Sequence, residues 1–230
     1  MKTVWIRKEG SGELLIFFNG WGMDCRIASY LLHESLPSGF SKDILVCYDY
    51  HTLETEPGFM NGINGYGSIT VLAWSFGVWV AQQTELPPIG RAIAINGTVH
   101  PVHSEMGIPP EVFLATLSTY SEENRYRFNR RMCGFPEALE YFSCMSPERE
   151  TSDQLTELER LQEHLINRNL IRSADWNYNH AVIGGRDCVF PPKQQYNAWK
   201  GVPQTVIADM PHFPFFHFRT LQEVLACCRK

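Results

Sequence analysis

At 230 residues the chain has room for one well-buried α/β domain with an insertion, and too little for two full enzyme domains. Hydrophobic residues at 44% and charged residues at 20% exclude a disordered or low-complexity chain. The net charge of -5 argues against nucleic acid as the main partner, because neutralising phosphates needs a basic face.

The first ten residues alternate charged and apolar side chains without the apolar stretch of a signal peptide, and no apolar run approaches the ~18 residues of a membrane span. A cytoplasmic protein without membrane contact is expected, and a monomer. Seven cysteines form an odd set with no C-x-x-C, which fits neither a disulfide framework nor a zinc cage, so they read as reduced and mostly buried.

Residues 4–7 and 14–18 read as two short strands joined in a hairpin through Gly10-Ser11-Gly12. The second runs into Asn19-Gly20-Trp21-Gly22-Met23-Asp24, where glycines let backbone N–H groups face a ligand, and residues 27–36 read as a helix. Residues 43–48 are a short apolar run of the kind that forms a parallel core strand, closed by Asp49, which reads as a turn residue. After the Gly/Asn-rich segment 61–67, a strand over 68–74 turns sharply into an apolar helix over 78–84, and 91–95 reads as another buried strand.

From 99 to 172 the pattern is helical only, with helices predicted over 111–118, 122–132 and 135–144. Thr151-x-x-Gln154 is a capping-box pattern ahead of Leu155, Leu158, Leu161, Leu165 and Ile166 at helical spacing. Strands resume at 180–184 and 203–208, with helices over 192–199 and 220–228. The alternation predicts an α/β fold: a mostly parallel central sheet flanked by helices, built on right-handed crossovers. Residues 1–98 and 173–230 form the core in this reading, and 99–172 an inserted helical cap.

Three polar residues stand just after strands. Ser75 lies within Ala73-x-Ser75-x-Gly77, Asp187 follows the strand at 180–184, and His212 follows the strand at 203–208. A parallel sheet brings the carboxyl ends of its strands to one edge, so the three converge although far apart in sequence. A serine hydroxyl is a weak nucleophile near neutral pH, so it needs a histidine base, and the histidine needs a carboxylate to fix its tautomer. His217 rivals His212, and Asp175 and Asp209 rival Asp187; Asp209 is too close to His212 in sequence, and Asp175 precedes the strand.

The Ala73-x-Ser75-x-Gly77 turn and the order Ser, Asp, His resemble the nucleophile elbow and triad of the α/β-hydrolases, with alanine for the first glycine. That resemblance implies an oxyanion hole from the backbone N–H groups of Phe76, after the nucleophile, and Trp21, in the loop after the strand at 14–18. His100-x-x-His103 lacks a nearby carboxylate to complete a metal site and reads as surface or cap histidines; no metal or cofactor is expected.

Phe18-Asn19-Gly20-Trp21-Gly22, the run Ala73 through Ala81, Gly184-x-x-Asp187, His212-x-Pro214-Phe215-x-x-His217, Asn96-Gly97-Thr98 and Arg130-Arg131-Met132-Cys133-Gly134 resemble the pimeloyl-acyl-carrier-protein methyl ester esterases of biotin synthesis, in particular the short BioG-type group. The resemblance covers most of the chain. It implies cleavage of the methyl ester of pimeloyl-acyl-carrier protein to free methanol, with Ser75, Asp187 and His212 as triad. It also implies docking of an acidic acyl-carrier protein on a basic cap surface, here Arg125, Arg127, Arg130 and Arg131. Residues 99–172 hold eight Arg/Lys against twelve Asp/Glu, so only a local patch can steer that partner, and a solvated helix face paired to Glu122 and Glu123 is the competing reading. A general short-chain carboxylesterase or thioesterase is the alternative within the same chemistry, and a noncatalytic hydrolase-fold binding protein the alternative outside it.

Overall fold

The centre of the molecule follows from three apolar runs that no surface accommodates. The computed structural model describes residues 1–167 and 174–228. In it β2 (Glu13–Phe18), β4 (Ser68–Trp74) and β5 (Arg91–Ile95) are buried along nearly their whole length, as strands covered on both faces must be. With β1 (Lys2–Arg7), β3 (Asp43–Tyr48), β6 (His180–Gly184) and β7 (Gln204–Ile207) they form one seven-stranded sheet in the order β1-β3-β2-β4-β5-β6-β7. Only β1 runs antiparallel to its neighbour.

The expected hairpin between β1 and β2 does not form: β3 lies between them, antiparallel to β1 and parallel to β2. The reason sits at the start of β3. Asp43 is fully buried, and its carboxylate accepts the N–H groups of Glu9 (2.7 Å) and Gly10 (2.9 Å) and the hydroxyl of Tyr66 (2.7 Å). The connection after β1 is therefore spent on capping β3, which is inserted where a hairpin partner would lie.

Helices α1 (Arg26–Ser35), α2 (Phe59–Ile63) and α3 (Phe76–Gln83) connect the first strands. Helix α2 reaches into the Gly/Asn-rich segment 61–67. Between β5 and β6 run α4 (Pro110–Thr119), α5 (Glu122–Cys133), α6 (Pro136–Ser143) and α7 (Thr151–Ile166), in the segment read as all-helical; its expected boundary at 172 lies outside the described residues. The capping box expected at Thr151 is absent. Helix α7 starts on Glu150 without a side-chain cap, and Gln154 turns its amide to other partners. Helices α8 (Pro192–Ala198) and α9 (Leu221–Ala226) complete the chain, α9 carrying a capping box between Thr220 and Glu223. All seven cysteines are free thiols, but only Cys47 and Cys133 are buried, which corrects the expectation of a mostly buried set. Cys144 at the end of α6 and Cys188 in the loop after β6 are exposed.

Asp49, at the end of β3, is a buried turn residue at φ 59°. Burial alone would raise its pKa, yet hydrogen bonds from Lys2 (2.7 Å) and His51 and the charge of Arg149 hold it down at about 2. A carboxyl whose folded pKa lies below its unfolded value of 3.8 adds stability above that pH and loses it as the pH falls toward 2. Asparagine tolerates the same positive φ, so Asp49→Asn isolates the charge. It should cost about 2 kcal/mol of unfolding free energy at pH 7, a gap that closes between pH 4 and 2. Urea denaturation at stepped pH checks this: a gap that stays constant with pH would assign the loss to something other than the carboxylate.

Candidate active site

The turn from β4 into α3 gives Ser75 its position. Ser75 has φ 59° and ψ -128°, a region that L-residues rarely adopt, and it is held there by near-contact on both sides. A Cβ on Gly77 would come within 2.4 Å of the carbonyl oxygens of Phe18 and Asn19, and one on Gly97 within 2.3 Å of the Ser75 carbonyl oxygen. Ala73 is fully buried in register between Phe18 of β2 and Ala94 of β5. Small residues before and after the serine are thus what lets the elbow pass between its neighbouring strands.

His212 presents Nε2 to Ser75 Oγ at 3.0 Å and Nδ1 to Asp187 Oδ2 at 2.9 Å. All three side chains are buried. The imidazole stacks on Phe190, with planes 9° apart, and tilts against Trp74. Its backbone carbonyl accepts from Trp74 Nε1 (2.9 Å) and Asn96 Nδ2 (3.0 Å). Asp187 is fully engaged: Oδ1 accepts the N–H groups of Val189 and Phe190, both at 2.8 Å, and Oδ2 accepts from Gln195 Nε2 (3.0 Å) as well as meeting His212. The rival His217 is exposed and packs its ring against Phe218.

Two supports escaped the sequence reading. Asn96, at φ 45°, donates to the carbonyls of Pro211 and His212 and accepts from the N–H of Gly184, so one side chain ties together the ends of β5 and β6 and the loop after β7. Its signal was the Asn-Gly-Thr run closing a strand. Gln195 carried no signal, being one glutamine of two in an ordinary short helix.

The loop 19–24 lies against the elbow: a Cβ on Gly20 would meet the Trp74 ring at 3.1 Å and Ser75 Cβ at 3.4 Å. The backbone N–H groups of Trp21 and Phe76 donate to no acceptor among the described residues. Phe76 is the first residue of α3, where N–H groups have no intrahelical partner. Both residues, with Ser75 and His212, line an apolar cavity to which Phe113, Phe128 and Leu158 also contribute.

The four arginines expected to form a basic surface separate. Arg125 is half-buried and donates to the carbonyls of Arg149 and Pro147 and to Thr151, which fastens α5 to the start of α7. Arg127 is exposed and paired with Glu123, as the helix-face reading expects. Arg130 is exposed beside Tyr126. Arg131 stacks over Phe128 and borders both the cavity at Ser75 and a groove outside it; partial burial lowers its pKa.

A family model described as pimeloyl-ACP methyl esterase BioG matches residues 1–224. The chain belongs to the BioG family. The crystal structure of BioG from Haemophilus influenzae superimposes with a TM-score of 0.82 at 27% identity, covering 96% of this chain and 98% of that one. An uncharacterized protein of H. influenzae is 32% identical over 202 residues, which is 86% of this chain and 87% of that protein. A malonyl-[acyl-carrier protein] O-methyltransferase of Bacteroides fragilis is 37% identical over 195 residues, which is 82% of this chain. The chain spans only about a third of that relative's length, 36%. An esterase from Exiguobacterium antarcticum shares the fold, with a TM-score of 0.65 at 14% identity over 97% of this chain and 92% of that one. The fold is that of the α/β-hydrolases, and the BioG family is one of carboxylic ester hydrolases within it.

Proposed function

We propose that this BioG-family chain hydrolyses the methyl ester of pimeloyl-acyl-carrier protein, releasing methanol, in the cytoplasm. The observation that carries the reading is the line Ser75 Oγ, His212 Nε2, His212 Nδ1, Asp187 Oδ2, hydrogen-bonded at the floor of an apolar cavity. His212 takes the proton from Ser75 as Oγ adds to the ester carbonyl carbon. The N–H groups of Trp21 and Phe76 receive the oxyanion, and the proton passes to the departing methoxide, leaving an acyl-serine and methanol. Water, deprotonated by the same His212, attacks the acyl-serine, and the free carboxylate leaves with Ser75 reprotonated. No step calls for a metal or cofactor. Asp187 holds the imidazole with its proton on Nδ1.

Residues 99–172 act as a cap in this reading, contributing Phe113, Phe128 and Leu158 to the cavity that Ser75 lines. A carrier-bound substrate is supported by the family description and by the acyl-carrier protein in the name of the Bacteroides relative. The docking surface is the outer groove lined by Arg127, Arg130 and Arg131 beside Tyr126 and Pro136; Arg125 has no part in it. A net charge of -5 opposes an acidic carrier at long range, so productive encounter depends on such a patch.

Methanol release from pimeloyl-carrier methyl ester, compared with hydrolysis of a small soluble ester, tests the reading. Efficient turnover of the small ester with none of the carrier-bound one would favour a general esterase, and failure to take up a fluorophosphonate at Ser75 would make the fold a binding module. Arg127→Ala with Arg130→Ala should raise KM for the carrier-bound ester roughly two- to thirtyfold, from ~0.2 to 1 kcal/mol for each exposed charge, and spare the small ester. The effect should shrink as salt rises. Equal loss on both substrates would make these arginines structural.

A further inference from the structure

The loop that carries Trp21 is held from α7. Gly22, the next residue, is bound on both sides: its N–H donates to Glu157 Oε2 (3.1 Å) and its carbonyl accepts from Gln154 Nε2 (2.7 Å). The indole Nε1–H of Trp21 donates to the backbone carbonyl of Gln154 (2.8 Å). On the other side the N–H of Gly20 is taken by Asn19 Oδ1 (2.9 Å). The peptide bearing the Trp21 N–H is therefore bracketed by fixed neighbours. Gly22 sits at φ 73°, and a Cβ there would lie 3.2 Å from Gln154 Nε2, so the loop and helix meet with no slack.

Gln154 and Glu157 are one helical turn apart and share a face. Both are buried, Glu157 completely, and each is itself anchored. Glu157 Oε1 accepts the N–H of Tyr50 (2.8 Å), and Arg149 Nη1 donates to Oε2 (2.6 Å) while also reaching the carbonyl of Met23 (3.2 Å). Gln154 Oε1 accepts the hydroxyl of Tyr120 (2.9 Å). Burial pushes the Glu157 carboxyl up, against the charge of Arg149 and the two backbone N–H groups. An apolar side chain would fill this space without that desolvation cost, so the carboxylate and amide are there to orient backbone dipoles. Leu158, next on the same helix, lines the same cavity as Ser75.

We propose that Gln154 and Glu157 are positioning residues for the ester hydrolysis, fixing from α7 the peptide that aims the Trp21 N–H at the developing oxyanion. The helical segment between β5 and β6 then sets transition-state stabilisation as well as the shape of the cavity. This inference rests on the reading of Ser75 as nucleophile and Trp21 N–H as oxyanion donor.

Removing an oxyanion donor outright costs about 10²–10³ in kcat; a donor left in place but loosened should cost about 10- to 100-fold. Gln154→Ala should therefore lower kcat on a p-nitrophenyl ester by about 10- to 100-fold with KM within about twofold, and weaken an alkyl boronic acid, whose serine adduct puts an oxygen in the same hole, by a similar factor. Tyr120→Phe, which removes the anchor of Gln154 Oε1 but leaves both loop contacts of Gln154, should lower kcat by less than Gln154→Ala does. In Glu157→Gln three donors would surround a side chain with a single acceptor oxygen, so its kcat should fall at least as far. Should that variant not fold, Gln154→Ala decides the matter. All rates are taken per titrated Ser75. Unchanged kcat and boronate affinity in Gln154→Ala, or a loss fully explained by fewer titratable sites, overturns the positioning role while leaving the hydrolase reading intact. A parent protein that takes neither fluorophosphonate nor ester overturns both.

Discussion

Ser75→Ala should lower kcat/KM for any ester the protein turns over by three orders of magnitude or more, with an unchanged fold. The hydroxyl contributes one hydrogen bond, to His212 Nε2, and the strained elbow is held by backbone contacts at Gly77 and Gly97 that alanine leaves in place. What remains is acceleration by the oxyanion hole and by binding alone. His212→Ala should lose as much, and the double variant little more than either, because nucleophile and base act as one unit. His217→Ala should stay within about threefold of the parent, since an exposed ring against Phe218 is a surface packing contact. Steady-state rates on a small ester, with circular dichroism to verify folding, check the set. Residual activity within tenfold in Ser75→Ala, or equal losses at 212 and 217, would end the assignment.

These residues were legible because the chemistry demands them at strand ends, and buried parallel strands are written as continuous apolar runs. Val71 to Trp74 and Ala92 to Ile95 announce themselves; the small residues at 73 and 77 announce the turn between strand and helix. Long-range pairing is not written that way. Nothing local in Gly10-Ser11-Gly12 says that Asp43, thirty residues on, will claim the N–H groups around it and seat β3 between β1 and β2. Thr151-x-x-Gln154 has the spacing of a capping box, but Gln154 commits its amide to Gly22 and Tyr120 and the helix starts on Glu150. The same limit hid Asn96, Gln195 and Glu157. Each is a polar residue whose meaning lies in a partner 8 to 135 residues away. Charge counting had the opposite weakness. Arg125, Arg127, Arg130 and Arg131 look alike in the sequence, whereas one is structural, one is paired within its helix, and one borders the cavity.

Asp187→Asn should disable the site almost as thoroughly as loss of the nucleophile, although it changes only an oxygen to a nitrogen. Asp187 Oδ1 accepts two backbone N–H groups, from Val189 and Phe190, which belong to the rigid turn after β6 and cannot be reversed. An asparagine must keep its carbonyl oxygen toward them, because turning its NH₂ there would set donors against donors. Its amide nitrogen then occupies the place of Oδ2, facing Gln195 Nε2 and His212 Nδ1. Gln195 Nε2 also donates to the carbonyl of Phe190 (2.7 Å), so turning its amide would set oxygen against oxygen, and it keeps a donor facing the new NH₂. His212 can respond only by leaving Nδ1 unprotonated as the acceptor, which moves the ring proton to Nε2. That nitrogen faces Ser75 Oγ, so a protonated Nε2 has no lone pair to take the serine proton. The geometry survives while the base is lost, and kcat should fall by about three to four orders of magnitude with KM little changed, since the carboxylate lies behind the imidazole from the cavity. The rate of fluorophosphonate labelling at Ser75 should fall in parallel, because it depends on the same proton transfer. A variant that kept its rate within tenfold would mean that His212 holds its tautomer without Asp187, leaving the carboxylate a structural anchor for the 187–190 turn.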